Sequence, residues 1–145
     1  MIIGKDHTKS LHPRLRIYFF LVGLADSLHF DLTDKCYTLS KVITSWDDAR
    51  KACQGTPWAK SDLATVADQE TMDFIEKNFK ISSNTWIGGE KVSEEWSWAD
   101  GTAWNFTNWE YSEPDNDDAL YLKSDYLWYD YRKYGTYHYI CQYSL

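Results

Sequence analysis

Basic residues are scarce in this chain, 15 Lys and Arg against 22 Asp and Glu, for a formal charge of −7. A phosphate-backbone partner needs clustered cations, so nucleic acid drops out as a ligand. Long apolar runs are missing as well, and no stretch reaches the roughly 20 residues of a membrane span. There is no Gly-rich phosphate loop, no nucleophile elbow, and no Ser or Cys with a recognisable His partner. Beyond residue 25 only His29 and His138 remain, and they lack metal-ligand spacing, so zinc is not expected. A carboxylate pair such as Glu113 and Asp130 could in principle hydrolyse a glycoside, but nothing else supports turnover, and no enzyme is expected.

Cysteine is sparse and odd in number: Cys36, Cys53 and Cys141. In an oxidising compartment that means one bridge plus a free or intermolecular thiol, and the sequence allows three pairings. The leader points to that compartment. Lys5, Lys9, Arg14 and Arg16 precede the apolar run 17–24, with small residues at Gly23 and Ala25. This pattern predicts a secretory signal peptide over 1–25, a mature domain over 26–145, and a secreted, extracellular protein. Without the leader, 11 basic residues face 21 acidic ones, a formal charge of −10.

What the chain has is aromatic. Phe, Trp and Tyr make up 17% of it, while Leu, Ile and Val are modest, which favours a loop-rich, aromatic-packed domain over a helix bundle. Five of the eight tryptophans fall between residues 86 and 109, and the acidic run Glu113-Pro-Asp-Asn-Asp-Asp118 comes directly after. Indoles bury large area and fix a core, so loops braced by them can hold carboxylates in place.

Cys36–Leu39 reads as a strand. Ser45 is an N-cap with Asp48 three positions on, and Trp46, Ala49, Ala52 and Cys53 recur at helical spacing, predicting a helix over 46–54. After a short extended piece at 63–66, Asp68 caps a second helix carrying Met72, Ile75 and Phe79 on one face. Short strands are expected at 85–88, 95–98, 119–123, 127–131 and 137–143. The segment 99–118 is irregular and, at that length, expected to be functional. The class is α+β: two helices on short antiparallel strands with a long irregular binding loop.

The ordered set of motifs resembles a C-type lectin-like domain over residues 35–143. It comprises Trp46-Asp-Asp-Ala-Arg-Lys-Ala-Cys53, Asp62-Leu-Ala-Thr-Val66, Glu70, Phe74-Ile75 and Trp86-Ile-Gly-Gly89. Trp96-Ser-Trp-Ala-Asp-Gly-Thr-Ala-Trp104, Asn108-Trp109, Glu113-Pro114 and Tyr139-Ile-Cys141 complete it. The resemblance implies a Cys53–Cys141 bridge. The family's second bridge is missing, because Ala119 and Lys133 stand at its two positions. Cys36 resembles half of an N-terminal bridge without its partner, which leaves a free thiol or a disulfide-linked dimer through Cys36.

The resemblance also implies a calcium site at Glu113, Asp115, Asp117 and Asp130, binding carbohydrate through the ion. Calcium takes about six to eight oxygen ligands, which carboxylates supply well. Asp115 and Tyr129 replace the two amides of the family pattern, so the donors that orient a sugar are lost and acceptors remain. Tyr129 and Trp109 join the four acids as candidate carbohydrate contacts. Trp109 and the tyrosines at 126, 129, 131 and 134 are the candidate stacking surfaces. Asn105-Phe-Thr107 is a glycosylation sequon.

The leading expectation is therefore a glycan or glycoprotein partner. The rival is a calcium-independent module that binds a protein ligand through the acidic, Tyr-rich face. A third class on the same fold, ice or mineral binding, stays open.

Overall fold

The computed structural model describes residues 27–30 and 34–144. The expected signal peptide lies outside the described residues. Among the described residues two helices, α1 (Trp46–Gln54) and α2 (Gln69–Asn78), accompany eight strands. These are β1 (Ser27–Phe30), β2 (Lys35–Leu39), β3 (Asp62–Leu63), β4 (Thr85–Val92), β5 (Glu95–Trp98), β6 (Ala119–Leu122), β7 (Trp128–Tyr131) and β8 (His138–Ser144). Among the described residues no helix is long and apolar enough to cross a membrane.

Both helices start where their caps lie. Ser45 Oγ accepts the Asp48 N–H at 3.3 Å, and the Asp68 carboxylate accepts the Thr71 N–H at 2.7 Å. Such caps each satisfy an otherwise orphaned donor and contribute about 1 kcal/mol.

The sheet runs β1-β2-β8-β4-β6-β7, with β3 also on β8 and β5 on β4. All pairs are antiparallel except one. β4 and β8 run parallel, matching Thr85 with His138 and Trp86 with Tyr139, so the expected two helices on short antiparallel strands are found with one parallel pair that makes the sheet mixed. The parallel pair arises because β8 returns from the far end of the chain to a gap between β2 and β4. Strand β1 carries no clear sequence signal; it pairs antiparallel with β2. β4 also extends beyond residue 88, forming a hairpin with β5.

Side-chain alternation sorts the central strands into two faces. Ile87, Leu120, Leu122 and Trp128 join Met72 and Ile75 of α2 in one core cluster. Trp86, Ala119, Tyr121 and Tyr129 join Trp46 and Ala49 of α1 in the other. Gly89 is required by this packing, since a Cβ there would lie 2.8 Å from the Leu120 side chain. Cys53 and Cys141 are bridged, tying α1 to β8 across 88 residues.

At the positions of the missing second bridge, Ala119 is buried among the aromatics and Lys133 makes ionic contacts. Lys133 Nζ lies 2.8 Å from Glu90 on β4, 3.8 Å from Asp47 on α1, and 4.5 Å from the centroid of a Trp46 ring. A cation between two acids and an indole does by charge part of what a covalent tie would do.

Cys36 is fully buried against Tyr143 and Trp58, and burial pushes its thiol up to about 12. Of the two expected states of Cys36, this is the free thiol; a bond to another chain would require β2 to leave β8.

Candidate functional site

Residues 99–118 carry no regular strand or helix, yet indoles hold them in place. Trp104 lies 4.7 Å from Trp98 and 5.7 Å from Trp128, while Trp109 lies 4.9 Å from Trp96 and 5.7 Å from Trp128. Aromatic pairs at such spacings add about 0.5–1.5 kcal/mol each beyond area burial. The backbone adds a short parallel bridge, in which Trp128 N–H donates to Asn108 at 2.9 Å and Glu110 N–H donates to Trp128 at 3.0 Å. The loop thus runs along the outer edge of β7, delivering Glu113 beside Asp130.

Asp130 organises the acidic end of this loop. It is 4% exposed, and its two oxygens accept the backbone N–H groups of Asp115 at 2.9 Å and Asp117 at 2.7 Å. Glu113 Oε2 accepts the Asp130 N–H at 3.4 Å. Among the described residues, Glu113, Asp115 and Asp130 each offer an oxygen, all within 4.8 Å of one another.

Three carboxylates so close cannot all ionise at ordinary strength. Burial, then the hydrogen bond to Asp130, pushes Glu113 up to about 7. Desolvation and the Asp130 charge also raise Asp115. Burial works to raise Asp130 too, but its hydrogen bonds to Glu113 and to the amides of 115 and 117 outweigh it and hold the carboxyl low.

The family described as Lectin C-type domain matches residues 42–143. This chain belongs to the C-type lectin domain family.

The match to mouse asialoglycoprotein receptor 1 is 28% identical over 121 residues, covering 76% of this chain but only 41% of the receptor. The mouse scavenger receptor C-type lectin carbohydrate-recognition domain superposes with a TM-score of 0.74 at 27% identity, covering 83% of this chain and 94% of that one. A calcium-independent type II antifreeze protein superposes with a TM-score of 0.71 at 25% identity, covering 83% and 93%.

In this C-type lectin domain the sequence-named residues divide. Glu113, Asp115 and Asp130 converge. Asp117 does not bring its carboxylate to them, because that group accepts from Arg132 Nε at 3.4 Å; only its backbone N–H enters the site. Tyr129 is 9% exposed, its hydroxyl donates to Asp125 at 2.7 Å, and Lys123 Nζ sits 3.7 Å from its ring centroid. Adjacent strand residues face opposite ways, so Tyr129 turns from Asp130. Trp109 is a half-buried member of the indole cluster. Tyr126 donates to the Phe79 carbonyl at 2.8 Å, whereas Tyr131 and Tyr134 are exposed. Asn105 is exposed as well.

Two cations at the site are absent from the sequence-based set. Arg132 engages Asp117, and Lys91 Nζ donates to Asn116 at 2.7 Å and pairs with Glu94 at 3.1 Å. Arg132 carries a usable signal, since it lies only two residues past Asp130, just beyond the end of β7. Lys91 carries none, because only the β4–β6 pairing brings it to the loop.

Among the described residues these two cations pair with Glu94 and Asp117, not with the three converging acids. An all-carboxylate donor set with one proton held near neutrality fits a hard divalent cation such as calcium.

Proposed function

We propose that this C-type lectin domain is a secreted carbohydrate-binding module whose site is the Glu113, Asp115 and Asp130 group, with calcium held there. The observation that carries this reading is the convergence of Glu113 and Asp130 from separate segments onto one point. The three carboxylates would hold the ion, with Asp117 contributing its backbone N–H to Asp130. Bound calcium supplies a centre that attracts sugar hydroxyl oxygens, and the carboxylates accept hydrogen bonds from those hydroxyls. The chain provides rigidity: two amide donors pin Asp130, and the indole cluster pins the loop that carries Glu113. Similarity to a carbohydrate-recognition domain and to an asialoglycoprotein receptor supports a glycan or glycoprotein partner. The Cys53–Cys141 bridge and the leader-like first 25 residues support an extracellular setting.

One observation favours a second reading. The 113–117 loop is already held to Asp130 by the chain's own hydrogen bonds, an arrangement that needs no ion. Calcium-independent binding of a protein through the acidic face and the exposed Tyr131 and Tyr134 is therefore the rival. Calorimetric titration with calcium, then a glycan array with and without chelator, separates them. Chelator-sensitive glycan binding is the expected result. Absence of calcium binding together with an empty array would overturn the carbohydrate reading.

A further inference from the structure

An open cavity of about 480 Å³, lined by Ser45, Asp47, Asp118, Arg132, Lys133 and Tyr134, adjoins the acid group. Three segments build it: the start of α1, the end of the acidic loop, and the turn between β7 and β8. One chain of contacts joins it to the acids: Asp117, whose own N–H holds Asp130, accepts from Arg132. Within the wall, Asp118 accepts the Lys133 N–H at 3.0 Å.

The cavity offers what the acid group lacks. Glu113, Asp115 and Asp130 present acceptors only, while a pyranose presents hydroxyls that both donate and accept. Tyr134 accepts from Arg132 Nη1 at 3.2 Å, which leaves the phenolic hydrogen to donate outward. Ser45 Oγ accepts the Asp48 N–H, which leaves its hydrogen likewise. Asp47 and Asp118 are exposed acceptors. The Tyr134 ring is 64% exposed and backed edge-on by Tyr131 at 6.1 Å, a fixed apolar surface for the C–H face of a sugar.

Charge narrows the ligand. Both cations in the wall are engaged within the chain, Arg132 by Asp117 and Lys133 by Glu90, and two carboxylates share the wall. A uronate, sialate or sulfate would have to displace a carboxylate to gain either cation.

We infer that this cavity is a second saccharide subsite, so that the domain reads a neutral oligosaccharide of at least two residues with Tyr134 as its platform. The subsite rests on the proposed carbohydrate function. The test is calorimetry with calcium present, using methyl α-mannoside, mannobiose and mannotriose, and in parallel methyl β-galactoside, galactobiose and galactotriose. In one series the oligosaccharides bind roughly five- to tenfold tighter than the monosaccharide. Tyr134→Ala removes that gain and leaves monosaccharide affinity within about twofold, while Tyr134→Phe, which keeps the ring, retains most of it. A length-independent affinity, or a gain that survives Tyr134→Ala, overturns the subsite and leaves the carbohydrate reading standing. Failure of the wild-type domain to bind either series overturns both. A uronate-terminated oligosaccharide that binds more tightly than its neutral counterpart overturns the neutral preference.

Discussion

Asp130 accepts the backbone N–H of Asp117 at 2.7 Å, so a buried side chain on the edge strand fixes the course of the acidic loop. The same carboxylate takes the Asp115 N–H at 2.9 Å, which makes it both loop anchor and site acid. Structural and binding roles therefore meet in one residue.

Asp130→Ala is expected to cost more than a surface acid would. It leaves two loop amides without an acceptor, at about 1–3 kcal/mol for a buried donor. Thermal unfolding should show a clear fall in Tm, and calorimetry a loss of calcium binding. An unchanged Tm would show that the loop does not depend on this anchor.

Glu113 gives the calcium-free domain a particular pH dependence. Its folded value of about 7 lies above the unfolded carboxylate value of roughly 4.3. Between those values the folded state binds more protons, so stability declines as pH rises through the window and levels off above it. Urea unfolding in chelator at a series of pH values should show this decline, and Glu113→Gln should remove it. Calcium affinity should rise over the same interval, because the ion needs the ionised carboxylate.

Lys133 stands where a bridging cysteine is missing, and its contacts with Glu90, Asp47 and Trp46 reach both β4 and α1. Lys133→Met is expected to destabilise by about 1–2 kcal/mol, since Glu90 loses its closest cation in a half-buried setting. Lys133→Arg should retain most of the stability. Equal denaturation midpoints for the wild type and the Met variant would rule out an ionic tie.

Cys36 should be silent in the folded protein. Its burial and raised pKa predict no reaction with a thiol reagent under native conditions and prompt reaction in denaturant. Non-reducing electrophoresis of natively purified protein should show no Cys36-linked dimer. Rapid native labelling would mean that β2 opens readily from β8.

The legible parts of this protein are those set by local rules or by ordered motifs. Helix α1 matches its expected bounds because Ser45, the helical spacing of Trp46, Ala49 and Cys53, and Gly55 all act within a few residues. Hairpin strand β5 matches its expected range for the same reason. The motif set carries the family, the bridged cysteines and the acids that converge.

Side-chain direction in the site is decided elsewhere. Asp117 turns to Arg132 and Trp109 into the indoles, because those partners arrive only when β6 and β7 pair and the loop lies along them. Tyr129 turns to Asp125, four residues earlier between β6 and β7. The sequence by itself determined which residues could carry charge to one end of the fold, through residue type and short-range spacing. The tertiary structure alone decided which of them face one another. An irregular loop has no repeat from which facing can be counted, and its hydrogen-bond partners lie on strands distant in the chain.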